Sequence, residues 1–360
     1  MDLALHHPEL GYYARAAHRS GRAGDFFTSV DVGPLFGELL AAQIQEMAGL
    51  LAADGRRDED RIDSPVPEAR SFDLVEAGAG NGQLSADILR VLRARDPAVF
   101  EGTRLHLVEL SADARLSQRA VLGDLADRLI SSSDVLAAPF RGVLVANELF
   151  DAMPVHQVVQ REEGLREVYV SQDLTTFEGP PSTPELVEHL ARLGVELEIG
   201  WRVEVNLKAV EWLRDASRRL TRGFMILIDY GHEAHELYSA SHSAGTLTSF
   251  SRHRAAGVES STATPWLQNP GEQDITAHVD FTSLRRVAEA EGLATLGFLD
   301  QTYFLLGLFN PETFESPDRR LALKSLIMPG GLGSTMKVLL LGKNVGTPSL
   351  RGCSFGGRVT

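Results

Sequence analysis

One cysteine, Cys353, stands in the 360-residue chain, which excludes an internal disulfide framework and a cysteine-based zinc site. In its glycine-rich tail it reads as an incidental surface thiol. No apolar run approaches the roughly 20 residues that a helix needs to cross a bilayer, so no membrane insertion is expected. Met1 to Leu10 carries Asp2, His6, His7 and Glu9 where a secretory leader would place an apolar core, which leaves the cytoplasm as the expected compartment. Lysine is also scarce, occurring only at 208, 324, 337 and 343 beside a large arginine excess, and 35 Lys and Arg are outweighed by 49 Asp and Glu for a net charge of −14. A nucleic-acid partner is therefore not expected, since neutralising phosphates takes a basic face. An acidic surface instead suits a protein or peptide that presents arginine or lysine. The chain has no H-E-x-x-H, no P-loop lysine and no Ser-His-Asp spacing. His6-His7 has no ligand partner nearby in sequence, so no metal is expected.

What is present is a soluble-protein composition, 43% hydrophobic and 23% charged, and a chain long enough for a sizeable core. Its most informative stretch is Phe72 to Gly82, FDLVEAGAGNG. A short apolar run leads to Glu76 and then to glycines at 78, 80 and 82, the grammar of a strand feeding a tight turn over which a ligand passes. Glycine there accepts positive φ and leaves no Cβ against the ligand. Gln83 stands where the dinucleotide fingerprint G-x-G-x-x-G has its third glycine, which favours S-adenosylmethionine over NAD. Leu84 to Leu92 has helical spacing, and Arg104 to Leu110 reads as a second strand with Glu109 near its end. A carboxylate about twenty to thirty positions after such a loop is where a ribose diol is held, so Glu109 is the expected ribose ligand. Ser111 is the expected N-cap of the next helix.

The spacing divides the chain into an N-terminal helical region and linker over 1–70, a core over 71–345 and a flexible tail over 346–360. An amphipathic helix starts near Pro34, with Ser29 or Asp31 as its cap. Asp54 to Arg70 is charged, carries two prolines and reads as a flexible linker. Further strands are expected at Gly142–Ala146, Phe224–Tyr230, Ala294–Leu299 and Met336–Leu341. The fold class is α/β, a mostly parallel Rossmann-like sheet with helices on both faces. Val155–Gln160 and Leu165–Val170 flank REEG like a hairpin and Trp201–Asn206 alternates again, so a β-rich insertion is expected over about 155–205.

The strand at Gly142 ends in Asn147-Glu148-Leu149-Phe150-Asp151. Polar groups beyond the carboxyl ends of strands in an open α/β sheet face the ligand. Asn147, Glu148 and Asp151 are therefore the expected catalytic residues, because carboxylates suit a guanidinium, whose planar fork pairs bidentately and stays cationic.

Five segments together, GDFFTS (Gly24 to Ser29), VEAGAGNG (Val75 to Gly82), ANELFDAMPV (Ala146 to Val155), DYGH (Asp229 to His232) and QDITAHVDF (Gln273 to Phe281), resemble the MidA family of S-adenosylmethionine-dependent methyltransferases. The resemblance runs from about residue 1 to residue 343. It implies a class I methyltransferase sheet, S-adenosyl-L-methionine as cofactor, and methylation of an arginine on a protein, in eukaryotic members a subunit of respiratory complex I. It places the cofactor on Glu76, Gly78, Gly80, Gly82 and Glu109, with Asp25, Thr28 and Ser29 at its methionine end, and puts His278 in a loop over the substrate channel as a further catalytic candidate. Two other functions fit the same residues: a scaffold that binds cofactor and partner without turnover, and a methyltransferase for a small molecule.

Overall fold

A computed structural model describes residues 1–14, 28–55, 71–136, 139–251, 254–257, 264–310, 316–328 and 332–355. Most of the expected linker, 56–70, lies outside the described residues, as does Asp25. The chain forms two compact units. One comprises Thr28–Glu148, Ala216–Asp229 and Ala288–Thr360, and the other Met1–Phe27, Leu149–Asp215 and Tyr230–Val287. No described helix is long and apolar enough to cross a membrane.

The first unit is built on a sheet whose strands β1 (Phe72–Ala77), β2 (Thr103–Val108), β3 (Leu129–Ser133) and β4 (Phe140–Asn147) are joined by Leu220–His232, Ala294–Asp300 and Met336–Lys343. β1 pairs in parallel with β2 on one side and β4 on the other, β2 pairs with β3, and β4 pairs with Leu220–His232, all parallel. Ala294–Asp300 and Met336–Lys343 run antiparallel to each other. Every residue of β1 is buried, as are Phe224 to Ile228 and Val338 to Leu341, the continuous apolar pattern of central strands covered by helices. Because the chain leaves β1 toward β2 on one side and comes back beside it as β4, the carboxyl ends of β1 and β4 flank the switch point where such sheets bind ligands.

The expected helix is Leu35–Gly55, with Leu40, Ile44, Met47 and Leu51 buried against Gln83–Arg95 and β4. Its expected caps bond elsewhere: Asp31 Oδ2 accepts from Thr28 N and Oγ1 at 3.0 and 2.9 Å, and Ser29 turns to Glu148 and Gln301. Residues 350–353, read from sequence as part of a flexible tail, make a helical turn whose amides at Arg351 and Gly352 donate to Glu46 and Gln43. Cys353 is half-buried there, and desolvation pushes its thiol up to about 11. Ser111 does cap the helix Ala112–Leu122, accepting from Ala114 N at 3.3 Å. Ser111→Ala should therefore lower unfolding free energy by about 1 kcal/mol in a urea titration, without changing the dependence on denaturant.

The second unit holds two antiparallel sheets. One carries Thr176–Gly179, Gly164–Val170, His156–Arg161 and Arg202–Val205 in that spatial order, including the hairpin around Glu162-Glu163. The helix Glu185–Leu193 covers it, burying Leu186 and Leu190 against Val158, Val203 and Val205. The other, Arg254–Ala256, Thr248–Ser251 and Asp274–Thr276, belongs with a core of Leu5, Tyr12, Trp266 and Ile275. Val279 and Asp280 pair with Gly231 and His232.

Candidate functional site

At the carboxyl end of β1 the loop Gly78–Gly82 turns on three positive φ values, 72°, 50° and 83° at Gly78, Gly80 and Gly82. Amides of Gly78 and Ala79 donate to Val108 O at 2.9 and 3.0 Å, tying the loop to the end of β2. Gly80 N donates to Glu109 Oε2 and Ser111 N to Glu109 Oε1, both at 2.8 Å, while Gln118 Nε2 donates to Gly80 O at 2.8 Å. Glu109 is thus held against the loop. An ionised carboxylate has about four acceptor positions, so two amides leave capacity for a diol. A Cβ built on Gly80 meets no protein atom within 4 Å, so the loop is open at that glycine, whereas a Cβ on Gly82 would meet Leu107 at 3.2 Å.

Glu76 behaves otherwise. Its buried carboxyl accepts from Ser85 N at 3.1 Å and from Ser85 Oγ, in the first turn of Gln83–Arg95, and burial pushes its pKa up to about 7 against those bonds. It fastens the helix that carries the loop. The signal that a sequence reading lacks is this partner, nine residues on in the chain.

At the end of β4, Asn147 Nδ2 and Ser29 N both donate to Glu148 Oε1 at 3.2 Å, and Asn147 Oδ1 is buried with no hydrogen-bond partner among the described residues. Glu148 has φ 52°, a left-handed conformation that costs a non-glycine residue about 1–2 kcal/mol and is held by its surroundings. Burial pushes its carboxyl up to about 8, helped by the fully buried Asp229 and opposed by the bond from Ser29 N. Since this folded value lies above the ordinary 4.5, protonated Glu148 stabilises the native state fully below about pH 4.5, and that contribution is lost as pH rises to about 8. The ligand-free Glu148→Gln variant is neutral throughout and keeps both donors. Its melting temperature should gain on wild type between about pH 5 and pH 8 and keep a constant lead above that; a lead that shrinks with pH contradicts the assignment.

Thr28 is engaged with Asp31, and Ser29 Oγ donates to Gln301 Oε1 at 3.2 Å. Ser29 therefore reaches the β4 terminus, while Thr28 shapes the turn before it. Sequence reading missed Gln118 and Gln301 as partners of the site, because neither lies in a spaced motif with the groups it meets.

In the second unit Asp151 O accepts from Ala277 N at 3.0 Å, and its carboxylate, with that of Asp274, holds the Tyr13 phenol well above its usual range, burial being the larger cause. Tyr13 Oη donates to Asp274 Oδ1 at 3.0 Å. His278 packs edge-on to Tyr230 at 4.2 Å and stands 5.2 and 5.6 Å from the rings of His232 and His242. Burial, with those two imidazoles, pushes it down to about 3, far from the poise of a general base at neutral pH.

Three features fit an adenosyl amino acid: an open glycine cradle, a carboxylate pinned beside it, and an orphaned acceptor at the neighbouring strand end. Comparison with known proteins agrees. Residues 40–299 match a family model described as "Putative S-adenosyl-L-methionine-dependent methyltransferase". The chain is 30% identical over 336 residues to a mouse (Mus musculus) protein named protein arginine methyltransferase NDUFAF7, mitochondrial, covering 85% of this chain and 68% of that one. The zebrafish (Danio rerio) protein of the same name is 29% identical over 333 residues, 85% of this chain and 71% of that one. A crystal structure from Burkholderia thailandensis, bound to S-adenosyl-homocysteine, superposes with a TM-score of 0.81 at 29% identity, over 99% of this chain and 89% of that one.

Proposed function

This chain belongs to the S-adenosyl-L-methionine-dependent methyltransferase family whose model it matches, and we propose that the methyl it transfers goes to a guanidinium nitrogen of an arginine on a protein. The observation that carries the acceptor is the Glu148 carboxyl, raised to about 8 beside the buried Asp229. Buried in a poorly solvated site and facing the Asp229 charge, the Glu148 carboxyl resists ionising until a cation joins it. A guanidinium is that cation: it stays charged, and its fork pairs with carboxylate oxygens. The names of the mouse and zebrafish relatives support the same acceptor, and a respiratory complex I subunit is the candidate that the family resemblance implies.

S-adenosylmethionine, when bound, supplies an electrophilic methyl on its sulfonium. For this chain's own residues we assign Gly78, Gly80 and Gly82 to backbone approach, Glu109 to the ribose and Ser29 to the methionine end, with Glu76 positioning the loop. Glu148, ionised by the arriving guanidinium, orients it and takes the proton that the nitrogen sheds as its bond to carbon forms and the carbon–sulfur bond breaks. Asn147 offers Oδ1 to a guanidinium N–H. The work of the site is positioning and charge placement. The reaction is proposed for the cytoplasm, whereas the mouse and zebrafish relatives are named mitochondrial.

Mass spectrometry of proteins from cells with and without the gene tests the acceptor. A methylarginine peptide present only with the gene is expected, and methylation appearing only on metabolites moves the acceptor to a small molecule.

A further inference from the structure

We propose that His232, His242 and His278 form a site for a divalent transition metal of the zinc class. These residues are scattered along the sequence, and the fold of the second unit gathers them. His232 ends the strand Leu220–His232, His242 closes the helical turn Ala240–His242, and His278 sits between Asp274–Thr276 and Val279–Asp280. One ring nitrogen from each lies within 4.8 Å of the other two. Nitrogens about 2.0–2.1 Å from a tetrahedral zinc stand roughly 3.4 Å apart, so small side-chain rotations close the set around an ion.

Two further observations point to a ligand. Glu236 serves two of the rings at once: its carboxylate Oε1 lies 3.1 Å from His232 Nδ1, and its backbone carbonyl 3.0 Å from His242 Nδ1. Both contacts fall on Nδ1, so one residue adjoins two of the three rings and could support them as ligands. His278 Nδ1 is buried with no hydrogen-bond partner among the described residues. The backbone around it is fixed, since His278 N donates to Thr246 Oγ1 at 3.1 Å and Val279 and Asp280 pair with Gly231 and His232. Imidazole ligands select zinc, cobalt, nickel or copper over magnesium or calcium, and three of them leave one position for water. The ion would pin three separate segments of the second unit together. This site stands independently of which acceptor the methyl goes to.

The test uses the full chain without a histidine tag, stripped with chelator and titrated with Co(II), then with Zn(II) in competition. One equivalent of Co(II) is expected, with visible absorption bands of a four-coordinate site that Zn(II) abolishes, and a melting temperature raised by several degrees. His242→Ala should weaken binding at least about 100-fold and Glu236→Gln about tenfold, while circular dichroism and cooperative melting of the same metal-free samples show that each variant is folded. Absence of a band and of retained metal in the wild type overturns the proposal. So does equal binding by His242→Ala, which would move the metal elsewhere, as to His6 and His7; and if that variant does not fold, His242→Gln answers the same question.

Discussion

Replacing Gly80 by valine is expected to abolish S-adenosylmethionine binding while leaving the fold in place. The wild-type chain should bind the cofactor or its demethylated product in roughly the micromolar range, equivalent to about 8 kcal/mol. At Gly80 the φ of 50° disfavours a branched side chain, and the space a Cβ would enter holds no protein atom within 4 Å. A valine there meets the ligand rather than the chain. Its amide still reaches Glu109, so the loop keeps its tie to β2. A loss of at least about 100-fold in affinity, about 2.7 kcal/mol, is the expected reading by isothermal calorimetry. Thermal melting of the ligand-free variant should fall by only a few degrees. Wild-type affinity in Gly80→Val would remove this glycine from the site.

Glu148→Gln separates the acceptor side from the cofactor side. Gln keeps the shape and can still accept from Ser29 N and Asn147 Nδ2, so cofactor affinity should stay within about twofold of wild type. What is lost is the negative charge that a guanidinium would induce on arrival. Methyl transfer should fall by at least about tenfold, since a transition-state interaction of about 1.4 kcal/mol already carries that factor. Full activity in the variant would free the guanidinium from Glu148 and leave Asp229 as its partner at this end of the sheet.

Much of the architecture was legible because it is written in local patterns. The apolar runs that became β1, β4, Leu220–His232 and Met336–Lys343 are buried on both faces, and such strands announce themselves without alternation. The hairpin around Glu162-Glu163 was legible from alternation on either side of a turn. The glycine loop and Glu109 were legible as well, since position along a βαβ unit fixes which groups meet, and Gly80 N does donate to Glu109.

Other groups were not legible, because long-range packing decides where they point. Glu76 reads like a ligand beside the loop, yet its carboxyl turns to Ser85. Thr28 reads like a contact for the cofactor, yet it closes a turn with Asp31. Glu148 and Asp151 look like neighbours in NELFD, but Glu148 ends one compact unit and Asp151 falls in the other. The three histidines share no spacing at all, so their gathering is visible only in the fold.

The proposed reaction transfers a methyl group from S-adenosylmethionine to arginine in a protein. Its most direct test incubates the purified chain and methyl-labelled cofactor with extract from cells that lack the gene, followed by acid hydrolysis of the protein fraction and separation of its amino acids. Label in methylarginine, dependent on active enzyme and strongly reduced with Glu148→Gln, is the predicted result. No label in protein from an enzyme shown on the same preparation to bind the cofactor would contradict it.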